Sequence, residues 1–159
     1  MTSRTLITGM SGTGKSTVIA ELGTRGFRAI DTDYNDWCHW VTPPGEREQD
    51  WIWREDRMKH LLENAGAEPL FVAGCKSNQG KFYDRFEHIV LLSAPTELIV
   101  ERITTRFNNP YGKDSRELAD VLMYVETVEP LLRAGATLEI DTQIPIYTVV
   151  QRILDHVGL

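Results

Sequence analysis

The densest chemistry in this 159-residue sequence lies close to its first residue. Gly9-Met10-Ser11-Gly12-Thr13-Gly14-Lys15-Ser16 fits the spacing G-x-x-x-x-G-K-[S/T] with nothing missing. Glycines at those positions let the backbone curl until successive N–H groups converge on one phosphate. A helix that starts where the loop ends directs its positive dipole end at the same point. Lys15 adds a mobile cation for β- and γ-phosphates, and Ser16 a hydroxyl for magnesium. Thr17 falls in the first turn of that helix. This stretch predicts a polyphosphate site over 9–17, with ATP and Mg²⁺ as its ligands.

A second set of groups has the right chemistry for the other side of a phosphate site. Asp31 and Asp33 follow an apolar run at 27–30. Residues i and i+2 of an extended chain face the same way, so both carboxylates can face one cleft. Magnesium takes oxygen ligands, and a hydroxyl that accepts a phosphoryl group needs an orienting carboxylate or base. Asp141 also ends an apolar run and competes for the magnesium role.

Arg102 and Arg106 are spaced i, i+4, with no acidic residue three or four positions from either. Two like charges so placed on a helix cost about 0.2–0.5 kcal/mol. An anion between them removes that penalty, and phosphate matches the guanidinium fork. Arg54 has Asp50 four residues earlier, which suggests a helix-surface ion pair, whereas Arg57 has no such acid. Trp37, Trp40, Trp51 and Trp53 cluster beside Tyr34 and His39. Their rings suit a flat ligand face, and at least two of them are expected to pack the segment itself.

The elements that must position these groups read as alternating strands and helices. Apolar runs at 5–8, 27–30, 70–73, 88–92 and 137–140 predict strands. They are continuous rather than alternating, the mark of strands buried on both faces of a parallel sheet. Helices are expected over 15–22, 46–65, 96–107, 114–133 and 145–157. The last two open on a capping-box pattern at 114–117 and on Pro145. Two stretches break the alternation, 34–50 and 107–113, and loops on a rigid scaffold often carry function.

Composition narrows the partners. Hydrophobic residues make up 42% and charged residues 25%, an ordinary balance for one globular domain. The net charge of −6 disfavours nucleic-acid binding and docking on an anionic membrane. Cys38 and Cys75 form no CxxC pair, which fits a reducing cytoplasmic setting and no structural zinc. The segment from Met1 onward lacks a signal-peptide core, and no apolar run approaches the roughly 20 residues needed to span a bilayer. A monomer or small homo-oligomer is expected. No Asn-Lys-x-Asp guanine-reading motif is present, and the chain is too short for a motor or remodelling ATPase. A small-molecule acceptor is what this leaves.

The sequence resembles the shikimate-kinase and nucleoside-monophosphate-kinase (adenylate-kinase-like) branch of P-loop kinases. GMSGTGKST at 9–17, Asp31-Thr32-Asp33, Trp53-Arg54-Glu55 and LIVERITTR at 98–106 carry the resemblance, across nearly the whole chain. It implies an α/β P-loop NTPase fold: three layers, α/β/α, around a five-stranded parallel sheet. One kinase domain would span 1–159, with an acceptor-side insert at about 34–66 and a short LID at about 107–114. It also implies Mg²⁺-assisted transfer of the γ-phosphoryl group of ATP to a hydroxyl or phosphate of a small molecule.

The resemblance implies roles too. Ser16 and Asp31 hold magnesium, and Asp33 is the acceptor-side base. Lys15 and Arg106 act on the phosphates, while Arg102 packs near the adenine and Thr142 belongs to the adenine loop at 141–145. Arg54 and Arg57 lie on the acceptor side, where Gly74, Lys76, Asn78 and Gln79 are expected to form a loop without assigned roles, and Lys113 is a further LID cation. The third strand ends Ala73-Gly74-Cys75 rather than in the Gly-Gly-Gly of shikimate kinases. The Arg-Pro-Leu-Leu LID segment of shikimate kinases and the Asp-Gly pair of adenylate kinases are absent as well. The acceptor is therefore left open among sugars, carboxylated rings, nucleosides and hydroxylated antibiotics. The alternative function is an ATP-binding regulatory module whose LID orders for a protein partner.

Overall fold

The computed structural model describes residues 3–159; Met1 and Thr2, where the reading for a signal peptide begins, lie outside them. Five strands form one parallel sheet: β1 Arg4–Thr8, β2 Arg28–Asp31, β5 Leu70–Ala73, β6 His88–Ser93 and β7 Leu138–Asp141. Their order is β2-β5-β1-β6-β7. The chain leaves β1 toward one edge and later returns to fill both of its sides. The strand that feeds the glycine loop therefore sits at the centre, with β5 and β6 as direct neighbours. Ligands of such sheets bind at the carboxyl ends of the strands near this reversal.

Strand alternation divides the core. Leu6 and Val72 face one side with Trp53, Met58 and Leu62. Ile7, Phe71, Val90 and Ile140 face the other, against Val18 and Leu22 of α1 (Lys15–Thr24) and Val150 and Ile153 of α6 (Ile146–Val157). Smaller clusters seat α3 (Thr96–Thr105), α4 (Ser115–Thr127) and α5 (Glu129–Gly135). The three-layer α/β/α expectation holds, and the strand positions agree to within a residue or two.

The largest departure lies at 46–65, expected as one helix. Only α2 (Glu55–Glu63) is helical. Before it stands an antiparallel hairpin of β3 (Cys38–Val41) and β4 (Asp50–Trp53). Pro43, Pro44 and Gly45 make the turn, with the Glu46 N–H on the Pro43 carbonyl. Aromatic and β-branched side chains favour pleated surfaces, and here they pair across strands. Trp40 and Trp51 stand opposite each other with ring centroids 5.1 Å apart. The edge of β4 is completed by a side chain: Asn78 accepts the Trp53 N–H and donates to the Trp53 carbonyl.

Smaller corrections have local causes. The helix expected over 114–133 is two helices, because Pro130 has no N–H to extend α4 and instead starts α5. Asp114 caps α4 as expected, accepting the Glu117 N–H at 2.8 Å. The Glu117 carboxylate takes the Gly112 N–H rather than closing the reciprocal box. A 3₁₀-helix, Gln79–Arg85, was not anticipated. Among the described residues, no helix is long and apolar enough to cross a membrane.

Candidate active site

The glycine loop follows β1 directly and delivers the chain into α1. Gly14 caps α1 with φ 102°, a left-handed conformation that other residues adopt at a cost. No side chain caps this end, so the first-turn N–H groups of α1 face the loop. A cleft of about 460 Å³ opens there. Ser11 to Val18 line it, together with Asp33, Tyr34, Arg102, Arg106 and Asn109. Thr142 and Ile144 close the far end.

Each predicted nucleotide-side residue has a defined place. Lys15 Nζ donates to the Gly9 and Met10 carbonyls at 2.7 and 3.0 Å, folded onto its own loop. Burial lowers its pKa, opposed by Cys75, Asp33 and Asp31. Phosphate oxygens would replace those carbonyls with full negative charge. Met10 contributes backbone only, since its side chain is buried against Leu91 and Leu132. Thr13 is buried and donates to the Met10 carbonyl.

Arg102 lies in the last turn of α3 and Arg106 is its extended C-cap rather than a helical residue as expected; both line the cleft, and oxygens rather than an acid offset their charges. Arg102 Nη1 donates to Thr142 Oγ1 at 2.8 Å and to the Gly12 carbonyl at 3.2 Å, and Nη2 to the Thr142 carbonyl. Thr142 Oγ1 in turn reaches the Thr13 carbonyl at 2.9 Å. Arg102 and Thr142 thus tie the phosphate loop to the β7–α6 connection. Arg106 donates to the carbonyls of Asn109 and Tyr111 and, at 3.4 Å, to Ser11 Oγ. Burial lowers its pKa, with Tyr34 and Asp33 opposing. Lys113 stands over the exposed Phe107 ring at 5.8 Å and does not line the cleft.

The two aspartates are committed differently. Ser16 Oγ donates to Asp31 Oδ2 at 2.6 Å, and the Asp33 N–H to Asp31 Oδ1 at 3.1 Å. Asp33 Oδ1 accepts from Lys76 Nζ at 2.8 Å, and its Oδ2 has no hydrogen-bond partner among the described residues. Thr32 between them is fully buried; it donates to the Ala73 carbonyl and accepts from the Trp53 indole N–H. Asp141 spends both carboxylate oxygens on Gln143.

The acceptor-side residues divide. Gly74 packs where a Cβ would run into Thr32 Oγ1 and the Trp53 indole, so close approach explains the glycine. Arg54 pairs with Asp36 at 3.0 Å, not with Asp50, which lies on β4 and binds the Ser77 hydroxyl. Arg57 donates to the Asn35 carbonyl and stacks 3.9 Å over the Trp37 ring. Asn35 and Asp36 hold φ 60° and 65°, so the two arginines brace a left-handed turn just past Asp33 and Tyr34. Neither lines the cleft. Trp37 and Trp53 are buried, Trp51 partly so, and Trp40 is 60% exposed. Lys76, expected only as part of the acceptor-side loop with Gly74, Asn78 and Gln79, reaches Asp33, a partner that no local pattern in the sequence reports.

The chain belongs to the AAA domain family, whose model matches residues 6–123. Its fold is that of the P-loop small-molecule kinases, as solved structures below 25% identity show. A shikimate kinase from Acinetobacter baumannii in complex with shikimate is 19% identical, with a TM-score of 0.64 over 99% of this chain and 94% of that one. A gluconokinase from Sinorhizobium meliloti 1021 is 21% identical, with a TM-score of 0.57 over 98% and 91%. The deoxyadenosine kinase from M. mycoides with bound dATP is 13% identical, with a TM-score of 0.60 over 99% and 100%. The chain has no match among curated proteins.

Proposed function

We propose that the protein is an ATP-dependent phosphotransferase acting on a small molecule. The observation that carries this reading is the division between the two aspartates. Asp31 is engaged by the phosphate-loop serine, while Asp33, which lines the cleft two residues on, offers a free carboxylate oxygen. The neighbours named for shikimate, gluconate and deoxyadenosine chemistry support the class without selecting the acceptor.

In this reading the loop amides from Ser11 to Thr17 and Lys15 hold the phosphates. Ser16 and Asp31 supply adjacent hard oxygens of the kind magnesium prefers, so they fit the ion. Among the described residues no group of three acidic, His or Cys side chains forms a cage, which suits an ion shared with phosphate oxygens and water. When bound, Mg²⁺ would neutralise charge on those oxygens. Asp33 Oδ2 orients the acceptor hydroxyl and takes its proton as the oxygen bonds to phosphorus and the bond to ADP breaks. Arg106 exchanges its carbonyl partners for phosphate oxygens. The whole chain serves as one kinase domain. The 34–66 insert shapes the acceptor side, and 107–114 acts as the LID that excludes water.

The test is phosphorus NMR of wild-type protein with ATP·Mg²⁺ and pooled hydroxyl-bearing metabolites. A new phosphoester resonance alongside ADP is expected. Asp33→Asn should lose it while keeping ATP affinity within about threefold, a split that separates chemistry from binding. Tight ATP binding with no phosphoester in any pool would favour the nucleotide-gated regulatory module instead.

A further inference from the structure

Lys76 belongs neither to the phosphate loop nor to the cleft lining, yet its ammonium reaches Asp33, which does line the cleft. Its ammonium lies 2.8 Å from Asp33 Oδ1, and its side chain is only 12% exposed. Its backbone is locked on both sides by one residue. The Lys76 N–H donates to Gln79 Oε1, and the Gln79 N–H to the Lys76 carbonyl. Gln79 is itself buried and donates to the hydroxyl of Thr8, the last residue before the phosphate loop. The loop after β5 is thus tied to the end of β1, and the tie fixes where Lys76 stands.

Asp33 has a physical problem that this placement solves. In the proposed reaction a carboxylate must stand on the wall of a cleft filled by polyphosphate, where like charges repel. Lys15 is the cation for the phosphates. Arg54 is engaged by Asp36, and Arg57 by the Asn35 carbonyl and the Trp37 ring. Lys76 is the cation that meets Asp33 itself, and it occupies one oxygen while leaving the other free.

We propose that Lys76 is the positioning residue of the acceptor site: it neutralises Asp33 beside the bound triphosphate and fixes its carboxylate so that Oδ2 points to the acceptor hydroxyl. The proposal rests on the phosphotransferase reading for the second role only. The first role holds for any protein that binds ATP here.

The experiment is a double-mutant cycle of Lys76→Met and Asp33→Asn, with Lys76→Arg as the conservative variant. ATP·Mg²⁺ affinity is read by calorimetry, and acceptor-dependent ADP release where an acceptor is in hand. Methionine keeps the length and apolar stem of lysine, and circular dichroism confirms that each variant folds. Lys76→Met should weaken ATP binding about five- to tenfold, because Asp33 then faces the phosphates with one cation fewer. In the Asp33→Asn background the same change should cost a similar factor, because the phosphates lose the same positive charge. Lys76→Arg should restore ATP affinity to within about twofold of wild type. Where turnover is measurable, Lys76→Met should lower kcat about 100-fold, more than it weakens ATP binding. No affinity loss in either background, or a kcat loss no larger than the affinity loss, overturns the proposal. If Lys76→Met weakens ATP binding while wild type phosphorylates nothing, the phosphotransferase reading fails and the charge role of Lys76 stands.

Discussion

Thr32→Val would test the packing that holds the two aspartates in place. Valine matches threonine in shape, so the change deletes a hydroxyl and opens no cavity. That hydroxyl donates to the Ala73 carbonyl at 2.7 Å and accepts from the Trp53 indole N–H at 2.9 Å. Thr32 and Trp53 are both fully buried. The Ala73 carbonyl keeps the Thr32 backbone N–H at 3.0 Å, so it stays satisfied. The Trp53 N–H is left with no partner. A stranded buried donor costs about 1–3 kcal/mol and the second lost bond about 1 kcal/mol, so the sum is about 2–4 kcal/mol. For a chain of this size, at about 3 °C per kcal/mol, that corresponds to a fall in Tm of about 6–12 °C. Thr32→Ser keeps both hydrogen bonds and loses one methyl, about 1 kcal/mol, so its Tm should fall only about 3 °C. Thermal unfolding followed by far-UV circular dichroism measures both. Thr32→Val melting within about 1 °C of wild type, or Thr32→Ser melting below Thr32→Val, would refute the reasoning.

Two further outcomes follow from the site. Burial pushes the Cys38 thiol up from 9.0 to about 11. The unfolded thiol then ionises first, so stability present below pH 9 is lost as pH rises toward 11, by about 2–3 kcal/mol. Urea unfolding at pH 8 and pH 10.5 should show this loss shrinking in Cys38→Ala; an unchanged loss would contradict it. Arg102→Met should cost about 2 kcal/mol of stability, because a charged donor to the phosphate loop and the β7–α6 connection is removed. It should also weaken ATP binding about tenfold by calorimetry, and unchanged affinity would place Arg102 outside the nucleotide site.

The groups that could be read from the sequence are those whose partners are near in sequence. The phosphate loop needs only its own glycines and the helix behind it, and Asp31-Thr32-Asp33 needs only an extended chain. The hairpin was misread because the apolar spacing from Trp51 through Met58 to Ala65 mimics a helix. Its true register depends on Trp40 across the Pro43-Pro44-Gly45 turn. The partners of Arg54, Arg57 and Lys76 lie 18, 22 and 43 residues away, and no local pattern reports such pairs. Nor does any local pattern place β1 at the centre of the sheet, although that placement brings the loop after β5 against the phosphate site.

The central claim is that ATP bound on the loop at 9–17 gives up a phosphoryl group to a small-molecule hydroxyl. The most direct measurement is ADP release from ATP·Mg²⁺ against pooled hydroxyl-bearing metabolites, for wild type and Lys15→Ala in parallel. The account predicts that at least one pool raises ADP release at least about tenfold over the rate without acceptor in wild type, and that none does so in Lys15→Ala. Acceptor-dependent release that survives in Lys15→Ala would contradict it.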